Sequence, residues 1–193
     1  TLLKFKKAGK INQFGFSEIS PVSLVKANNI HHVAAVQSEY SLSTRFPELG
    51  LLQKTKELET ALVAFSPVGR GLLTDTPPTA ESVINSPFLK TNPRFLEPNR
   101  IENIKAVKNF QNLARDFGLS TAGLAIAWLL TKGDHVIPIP GTRSVKHLKQ
   151  MIKGTEFKLS IDDMKIIEKV LPVGWAHGDR YSTIQWIGPE KYC

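Results

Sequence analysis

The sequence contains a single cysteine, Cys193, and no long apolar segment. One cysteine cannot form an internal disulfide, which is typical of proteins from reducing compartments. The longest apolar run extends from Ala122 to Leu130 and is too short to cross a bilayer. The first residues also lack the charged start, apolar centre and cleavage site of a leader peptide. These absences predict a soluble, cytoplasmic protein without a membrane partner, in which Cys193 is an inert thiol.

The chain also lacks any cluster in which basic and aromatic residues alternate, although its net charge is +8 at pH 7. Its lysines are spread through almost every predicted helix, and it contains no known nucleic-acid-binding signature. The five histidines and the cysteine show no spacing typical of metal ligands. We therefore expect a generally basic surface, no nucleic-acid partner and no metal. A local anion site that uses a few of the charges remains open.

Apolar runs alternate with helical patterns along the chain, and its composition is that of an ordinary globular domain. Strands are predicted at residues 11–16, 33–37, 61–65 and 136–140. Helices are predicted at residues 20–29, 49–59, 99–118, 120–133, 144–153 and 160–171. Ser20, Ser120 and Ser160 are expected to cap three of these helices, and Asp163 completes an imperfect capping box with Ser160. A long loop rich in Pro, Gly, Ser and Thr is predicted at residues 66–99.

The order of these elements indicates four βα units and hence a parallel sheet with right-handed crossovers. Parallel sheets bind ligands at the carboxyl ends of their strands, in the loops that enter the following helices. The segments directly after the four predicted strands carry hydroxyls, amides, glycines or arginines. A functional site is therefore expected at that edge of the sheet.

Two of these segments have the residue types of phosphate sites. Gly141-Thr142-Arg143-Ser144 combines close backbone approach, hydroxyl donors and a guanidinium with the amides of a helix start. The paired glycines of Ser66-Pro67-Val68-Gly69-Arg70-Gly71 allow backbone amides to line a diphosphate. Either segment alone could be an ordinary connector. Their presence at the same edge of one sheet strengthens the interpretation as a phosphate site.

Six blocks of sequence, in this order and at these spacings, resemble the second half of an aldo-keto reductase. They are KINQFGFSE, VAAVQSEYSL, VAFSPVGRGLL, NPRFLEPNRIEN, STAGLAIAWLL and VIPIPGTRSVKHLKQ. The likeness extends over about residues 8–181 and is greatest to the NADP-dependent branch that includes pyridoxal and perakine reductases. It implies an α/β fold, a (β/α)8 TIM barrel. Residues 1–193 would supply the C-terminal four βα units of that single domain, together with extra helices.

The resemblance also implies a cofactor, NADP(H), and the residues that bind it. Ser17 and Gln37 would hydrogen-bond the nicotinamide carboxamide, and Phe65 would lie against the nicotinamide ring. The diphosphate would be wrapped by Ser66, Pro67, Val68, Gly69, Arg70, Gly71 and Leu72. The adenosine 2′-phosphate would be held by Gly141, Thr142 and Arg143, with His147 and Gln150 along the adenosine. Arg94 is a further candidate for the 2′-phosphate side, and residues 42–47 and 85–98 are candidate walls of a substrate pocket.

The function implied is reduction of aldehydes or ketones to alcohols, with a small carbonyl compound as substrate. The family's catalytic Asp, Tyr, Lys and His belong to the half of the barrel that is not in this sequence, so no catalytic residue is predicted here. Neither the histidines nor the tyrosines of this sequence replace them, and Tyr40, Tyr181 and Tyr192 lack the family's Asp-x-x-x-x-Tyr-Gly context. We therefore expect a fragment that is inactive alone and whose partner is its own N-terminal half.

Two other functions remain open. One is a non-catalytic NADP-binding regulatory or scaffold subunit, as the potassium-channel β subunits of this superfamily are. The other is a barrel that binds a different phosphorylated ligand. The sequence also departs from the family at Glu18, where many members have Asn, and at Gln150 and Met151, which replace an acid and an amide near the adenine. These departures predict one missing carboxamide contact and a reduced affinity for the cofactor.

Overall fold

The chain folds around a four-stranded parallel sheet in which the strands follow one another in chain order. In the computed structural model, which describes residues 1–191 and 193, the strands are β1 (Gly15–Ser17), β2 (Ala35–Glu39), β3 (Ala61–Phe65) and β4 (Val136–Pro138). All three strand pairs are parallel. One register row runs across the whole sheet and contains Ser17, Gln37, Val63 and Ile137. The predicted α/β class with a parallel sheet is confirmed.

Eight α-helices connect and cover the strands within the described residues. They are α1 (Leu2–Lys7), α2 (Pro21–Asn28), α3 (Leu51–Glu57), α4 (Ala80–Ile84), α5 (Asn99–Asp116), α6 (Thr121–Leu130), α7 (Val145–Glu156) and α8 (Ile161–Val170). The hydroxyls of Ser20, Ser120 and Ser160 accept backbone N–H bonds at the starts of α2, α6 and α8, as predicted. The capping box between Ser160 and Asp163 is complete in both directions.

The helices cover only one face of the sheet. On that face Val36, Leu62, Ala64 and Val136 are buried, and α6 supplies the fully buried Trp128 to the same core. Alternate residues of a strand point to opposite faces. On the other face Ser17 and Gln37 are exposed, and Ile137 retains 48% of its accessible surface. The described residues therefore form a partial barrel of four parallel strands with one uncovered face.

Several predicted boundaries were wrong for local reasons. The strands expected at residues 11–16 and 33–37 begin further along, at Gly15 and Ala35, because the apolar runs start before the ladder of strand hydrogen bonds does. The helix expected at 49–59 is interrupted at Gly50, whose φ of 144° is not helical, and a 3₁₀ turn (Phe46–Leu49) precedes it.

The long loop expected at 66–99 contains α4 and three 3₁₀ turns, Gly69–Gly71, Leu89–Thr91 and Pro93–Phe95. The side chains of Thr79 and Asn92 accept the hydrogen bonds that start two of these short helices.

Among residues 1–191 and 193, no single helix is both long and apolar enough to span a membrane. Taken together, α5 and α6 have the length and the composition of a span, but a bend of 84° separates the two helices.

Candidate functional site

A cavity of about 530 Å³ opens at the carboxyl ends of β3 and β4. Part of the β3 loop, residues 66–72, lines it, together with part of the β4 loop, residues 141–144, and the first turns of α7. Most of the residues predicted to bind the cofactor line it: Phe65, Ser66, Pro67, Val68, Arg70, Gly71, Gly141, Thr142, His147 and Gln150. The two segments that the sequence singled out as phosphate sites thus meet in one cavity.

The β3 loop is a tight turn that uses some of its own amides. The Gly69 N–H donates to the carbonyl of Ser66 at 2.8 Å, and the Gly71 N–H donates to that of Val68 at 3.1 Å. These two glycine amides are already bonded within the turn, and the expectation that backbone amides of this segment line a diphosphate stays a prediction. A Cβ on Gly69 would lie 2.7 Å from the Ser43 hydroxyl, so the glycine permits close packing instead. Leu72 is buried in the core and does not line the cavity.

The β4 loop prepares the start of α7. The Thr142 hydroxyl accepts the Ser144 N–H at 3.1 Å, and the Ser144 hydroxyl accepts the His147 N–H at 3.4 Å as the N-cap of the helix. No acidic residue lies in the first turn of α7. Arg143 is exposed and lies beside the cavity rather than in its lining. A helix start with free cations and no carboxylate favours an anion.

The end of the site near β1 and β2 is formed by the uncovered face of the sheet. Ser17 and Gln37 are register partners and are both exposed. Phe65 lies on the same face of β3, one row closer to the carboxyl edge, and lines the cavity. Adjacent strands are about 4.8 Å apart, so Gln37 lies one strand from Phe65 and Ser17 lies two strands away. The structure brings Phe65 into the cavity and leaves Ser17 and Gln37 outside its lining.

A buried cluster of charges lies behind the β3 loop, and no sequence pattern predicted it. Arg180 is fully buried and lies 2.8 Å from the Glu18 carboxylate, and Arg70 lies 2.6 Å from that of Glu39. Glu18 also accepts the Glu39 N–H at 3.0 Å. Many family members have Asn where this chain has Glu18, and the Glu18 carboxylate is paired with Arg180. The backbone of Glu18 has a left-handed φ of 54°.

Arg94 belongs to the same buried region. It is 6% exposed and donates to the Thr44 hydroxyl at 2.8 Å. Burial lowers the pKa of its guanidinium, while the nearby Glu39 raises it. Arg94 does not line the cavity. The prediction that it reaches the 2′-phosphate side was wrong, because the side chain packs inward rather than toward α7.

The tail, residues 172–191, has no helical or strand periodicity. Hydrogen bonds that involve side chains nevertheless attach it to the rest of the chain. The Trp175 indole donates to the Leu42 carbonyl at 2.8 Å, and Asn92 donates to the Arg180 carbonyl at 2.5 Å. The Glu190 carboxylate accepts the Ser20 N–H at 2.9 Å. The tail thereby covers the ends of β1 and β2. Only tertiary contacts indicate its position, which is why sequence patterns did not predict it.

The tyrosines and histidines considered as acid–base groups have other roles. Tyr40 is buried and donates to Glu48 at 2.8 Å, and burial together with Glu48 raises its pKa far above the ordinary value. Burial also raises the pKa of Tyr181. The His135 ring bonds the Leu52 carbonyl, and the backbone of His177 bonds Asn103. Tyr192 lies outside the described residues. Within the described residues no group of His, Cys, Asp and Glu could hold a metal ion.

The family model for "Aldo/keto reductase family" matches residues 1–172 of the chain. The chain belongs to the aldo/keto reductase family. This aldo/keto reductase chain is 37% identical over 180 residues to "Probable aldo-keto reductase 1" from Glycine max, covering 93% of this chain and 52% of that protein. It is 33% identical over 183 residues to "Aldo-keto reductase yakc [NADP(+)]" from Schizosaccharomyces pombe, covering 93% and 54%. The chain spans about half the length of these curated relatives.

Solved structures give the same picture of the aldo/keto reductase fold. A glycerol dehydrogenase from Gluconobacter oxydans superposes with a TM-score of 0.75 at 24% identity, over 94% of this chain and 55% of that one. A thermostable aldo-keto reductase solved with the inhibitor epalrestat gives 0.66 at 26% identity, over 88% and 52%.

Proposed function

We propose that the protein containing this chain is an NADP(H)-dependent oxidoreductase that reduces aldehydes or ketones to alcohols, and that this segment supplies most of the cofactor site. One observation carries the proposal: the β3 loop and the β4 loop, each predicted separately as a phosphate site, line one cavity at the carboxyl edge of a parallel sheet. Membership of the family and the NADP(+) in the name of the fission-yeast relative support it.

The residues present fit NADP(H) in charge and in shape. The start of α7 carries hydroxyls, exposed Arg143 and no first-turn acid, which suits the dianionic 2′-phosphate that distinguishes NADP from NAD. Phe65 offers an aromatic face at the other end of the cavity. When bound, the cofactor supplies a hydride for the carbonyl carbon. The chain's own residues would bind and orient it, with Ser17 and Gln37 toward the carboxamide.

The remaining half of the barrel is proposed to supply the acid–base groups and to cover the open face of the sheet. Exposed Ser17, Gln37 and Ile137 occupy positions that point into the interior of a closed barrel. The relatives are about twice as long as the matched segment, which supports a closed (β/α)8 barrel with these four units at its C-terminal end. The motif Ile-Pro-Gly-Thr-Arg supports the pyridoxal and perakine reductase branch.

Arg143→Ala in the intact protein tests the assignment of the 2′-phosphate site. We expect NADPH to bind about tenfold or more weakly, because a charge-assisted guanidinium contact is lost, while NADH affinity changes little. Fluorescence titration with both cofactors measures this. Arg100→Ala is the matched control, since Arg100 lies on α5, pairs with Glu97 before that helix and lines no part of the cavity. Equal losses for both cofactors would contradict the assignment, and displacement by sugar phosphates as readily as by NADPH would favour a different phosphorylated ligand.

A non-catalytic NADP-binding subunit is the second candidate. It would use the same cavity and the same contact of Arg143 with the 2′-phosphate, without working acid–base groups in the other half of the barrel. The two candidates differ in turnover. A reductase oxidises NADPH stoichiometrically with a small aldehyde, whereas a regulatory subunit binds NADPH with the same dependence on Arg143 and does not consume it.

A further inference from the structure

Arg70 sits in the β3 loop and lines the cavity, yet its guanidinium is bonded to a carboxylate of the protein. Its Nη2 is 2.6 Å from Oε2 of Glu39 and its Nη1 is 3.2 Å from Oε1, a two-point contact with one carboxylate. Only 12% of the Arg70 side chain and 1% of the Glu39 side chain are exposed. The positive charge is therefore already paired inside the protein, and in this geometry it is not free for a phosphate.

The tail encloses the same guanidinium from the other side. Nη1 of Arg70 donates to the Arg180 carbonyl at 3.2 Å. The guanidinium also lies over the rings of Phe88 and Tyr181, at 4.6 and 5.0 Å from their centroids. Such stacking adds to the attraction of a carboxylate. Arg70 thus joins the β3 loop to the end of β2 and to the tail at one point.

The contact between Arg70 and Glu39 stabilises a backbone conformation of the β3 loop that is unfavourable by itself. Arg70 has a φ of 55°, in the left-handed region that is unfavourable for a non-glycine residue. Glu39 is itself fixed, because Thr44 donates to its carboxylate at 2.9 Å and Arg180 lies 3.7 Å away. A fixed partner can hold the loop in one shape, and a preformed loop spends less binding free energy on ordering.

We propose that Arg70 is a positioning residue that anchors the β3 loop through Glu39 and the tail, so that NADP(H) affinity depends on this buried pair and not on a contact between the guanidinium and a phosphate. The inference rests on the proposed function. An anchoring role and direct phosphate binding predict different effects of removing the Glu39 charge. If Arg70 is an anchor, the protein binds NADPH more weakly after that change. If Arg70 binds phosphate, the same change leaves the affinity unaltered or increases it, because the guanidinium is released.

The experiment compares two ligands in the intact protein. NADPH engages the whole cavity, whereas adenosine 2′-monophosphate carries the 2′-phosphate and adenine but no diphosphate. Dissociation constants for both are measured for the wild type, Arg70→Met, Glu39→Gln and the double variant, with Arg100→Met as the control. The ratio of the two constants within each variant cancels a general loss of folded protein.

We expect Arg70→Met and Glu39→Gln each to weaken NADPH about tenfold relative to adenosine 2′-monophosphate. The double variant should be no worse than either single one, since both remove the same contact. NADPH should also dissociate faster from these variants. Arg70→Lys, which keeps a cation but loses the two-point contact, should give a smaller loss and replaces Arg70→Met if that variant does not fold.

An unchanged ratio in Arg70→Met and Arg70→Lys would overturn the inference, as would a Glu39→Gln variant that binds NADPH normally or more tightly. Either result, obtained with a wild type that binds NADPH, leaves the proposed function intact. A wild type that does not bind NADPH refutes the proposed function itself, and the anchor with it.

Discussion

At the scale of single residues, Cys193 shows how burial controls a side chain's chemistry. Its thiol donates to the Glu190 carbonyl at 2.7 Å and accepts from Arg180 at 3.3 Å. Burial raises its pKa to about 11, and the negative charge of Glu18 acts in the same direction. Because the thiolate is the reactive form, the thiol is expected to be almost unreactive near neutral pH.

Alkylation by iodoacetamide tests this, followed at the Cys193 peptide by mass spectrometry. In the folded protein the rate should be very low at pH 8 and should rise as the pH approaches 11. The urea-unfolded protein at pH 8 serves as the control and should react as an ordinary thiol with a pKa of about 8.5. Equal rates for the folded and unfolded protein at pH 8 would show that the thiol is accessible and unshifted.

At the scale of elements, α6 and α7 approach each other through two glycines. A Cβ placed on Gly154 would overlap the backbone oxygen of Gly123, and one placed on Gly123 would lie 2.9 Å from that of Gln150. Real side-chain atoms do not approach backbone this closely, so only glycine allows this contact. The contact sets the position of α7, and α7 carries His147 and Gln150 into the cavity.

Gly154→Ala should therefore destabilise the protein, although alanine is the better helix former by about 1 kcal/mol. We expect a net loss of about 1–3 kcal/mol in the free energy of unfolding, from overpacking. NADPH should also bind more weakly, because α7 shifts away from α6. Urea denaturation measures the stability, with the exposed neighbour Thr155→Ala as the control. A stabilised Gly154→Ala variant would mean that the helices can separate freely.

Local chemistry made some elements predictable. The bounds of β3 were predicted correctly because Ala61–Phe65 is a clean apolar run between a helix end and a turn. Ser20, Ser120 and Ser160 marked helix starts because their hydroxyls satisfy free N–H groups. The starts of β1 and β2 were misplaced, since a strand is defined by its partner's hydrogen bonds and these do not follow from hydrophobicity.

At the scale of the whole molecule, the meeting of the β3 and β4 loops was predictable, since parallel strands bring their carboxyl ends to one edge. The direction of the side chains within those loops was not. Arg70 lines the cavity as predicted, but its guanidinium pairs with Glu39, which is 31 positions away in sequence. Arg180 and Glu18 are 162 positions apart. Such pairings depend on the docked tail, and no local pattern encodes them.

The open face of the sheet provides the last prediction. Ile137 on β4 and Ile166 on α8 are almost equally exposed in this chain, at 48% and 47%. If the face closes into a barrel in the intact protein, Ile137 becomes interior and Ile166 remains at the surface. Ile137→Lys should then lower the free energy of unfolding by about 3 kcal/mol or more, because a charge is buried without a partner.

Ile166→Lys is the matched control and should change the stability by no more than about 0.5 kcal/mol. Both variants are compared with the wild type by urea denaturation of the intact protein. The difference between them isolates the environment of the sheet face, since the substitution and the starting exposure are the same. Two equally small effects would mean that the face is in contact with water in the intact protein, and the proposed closed barrel would have to be abandoned.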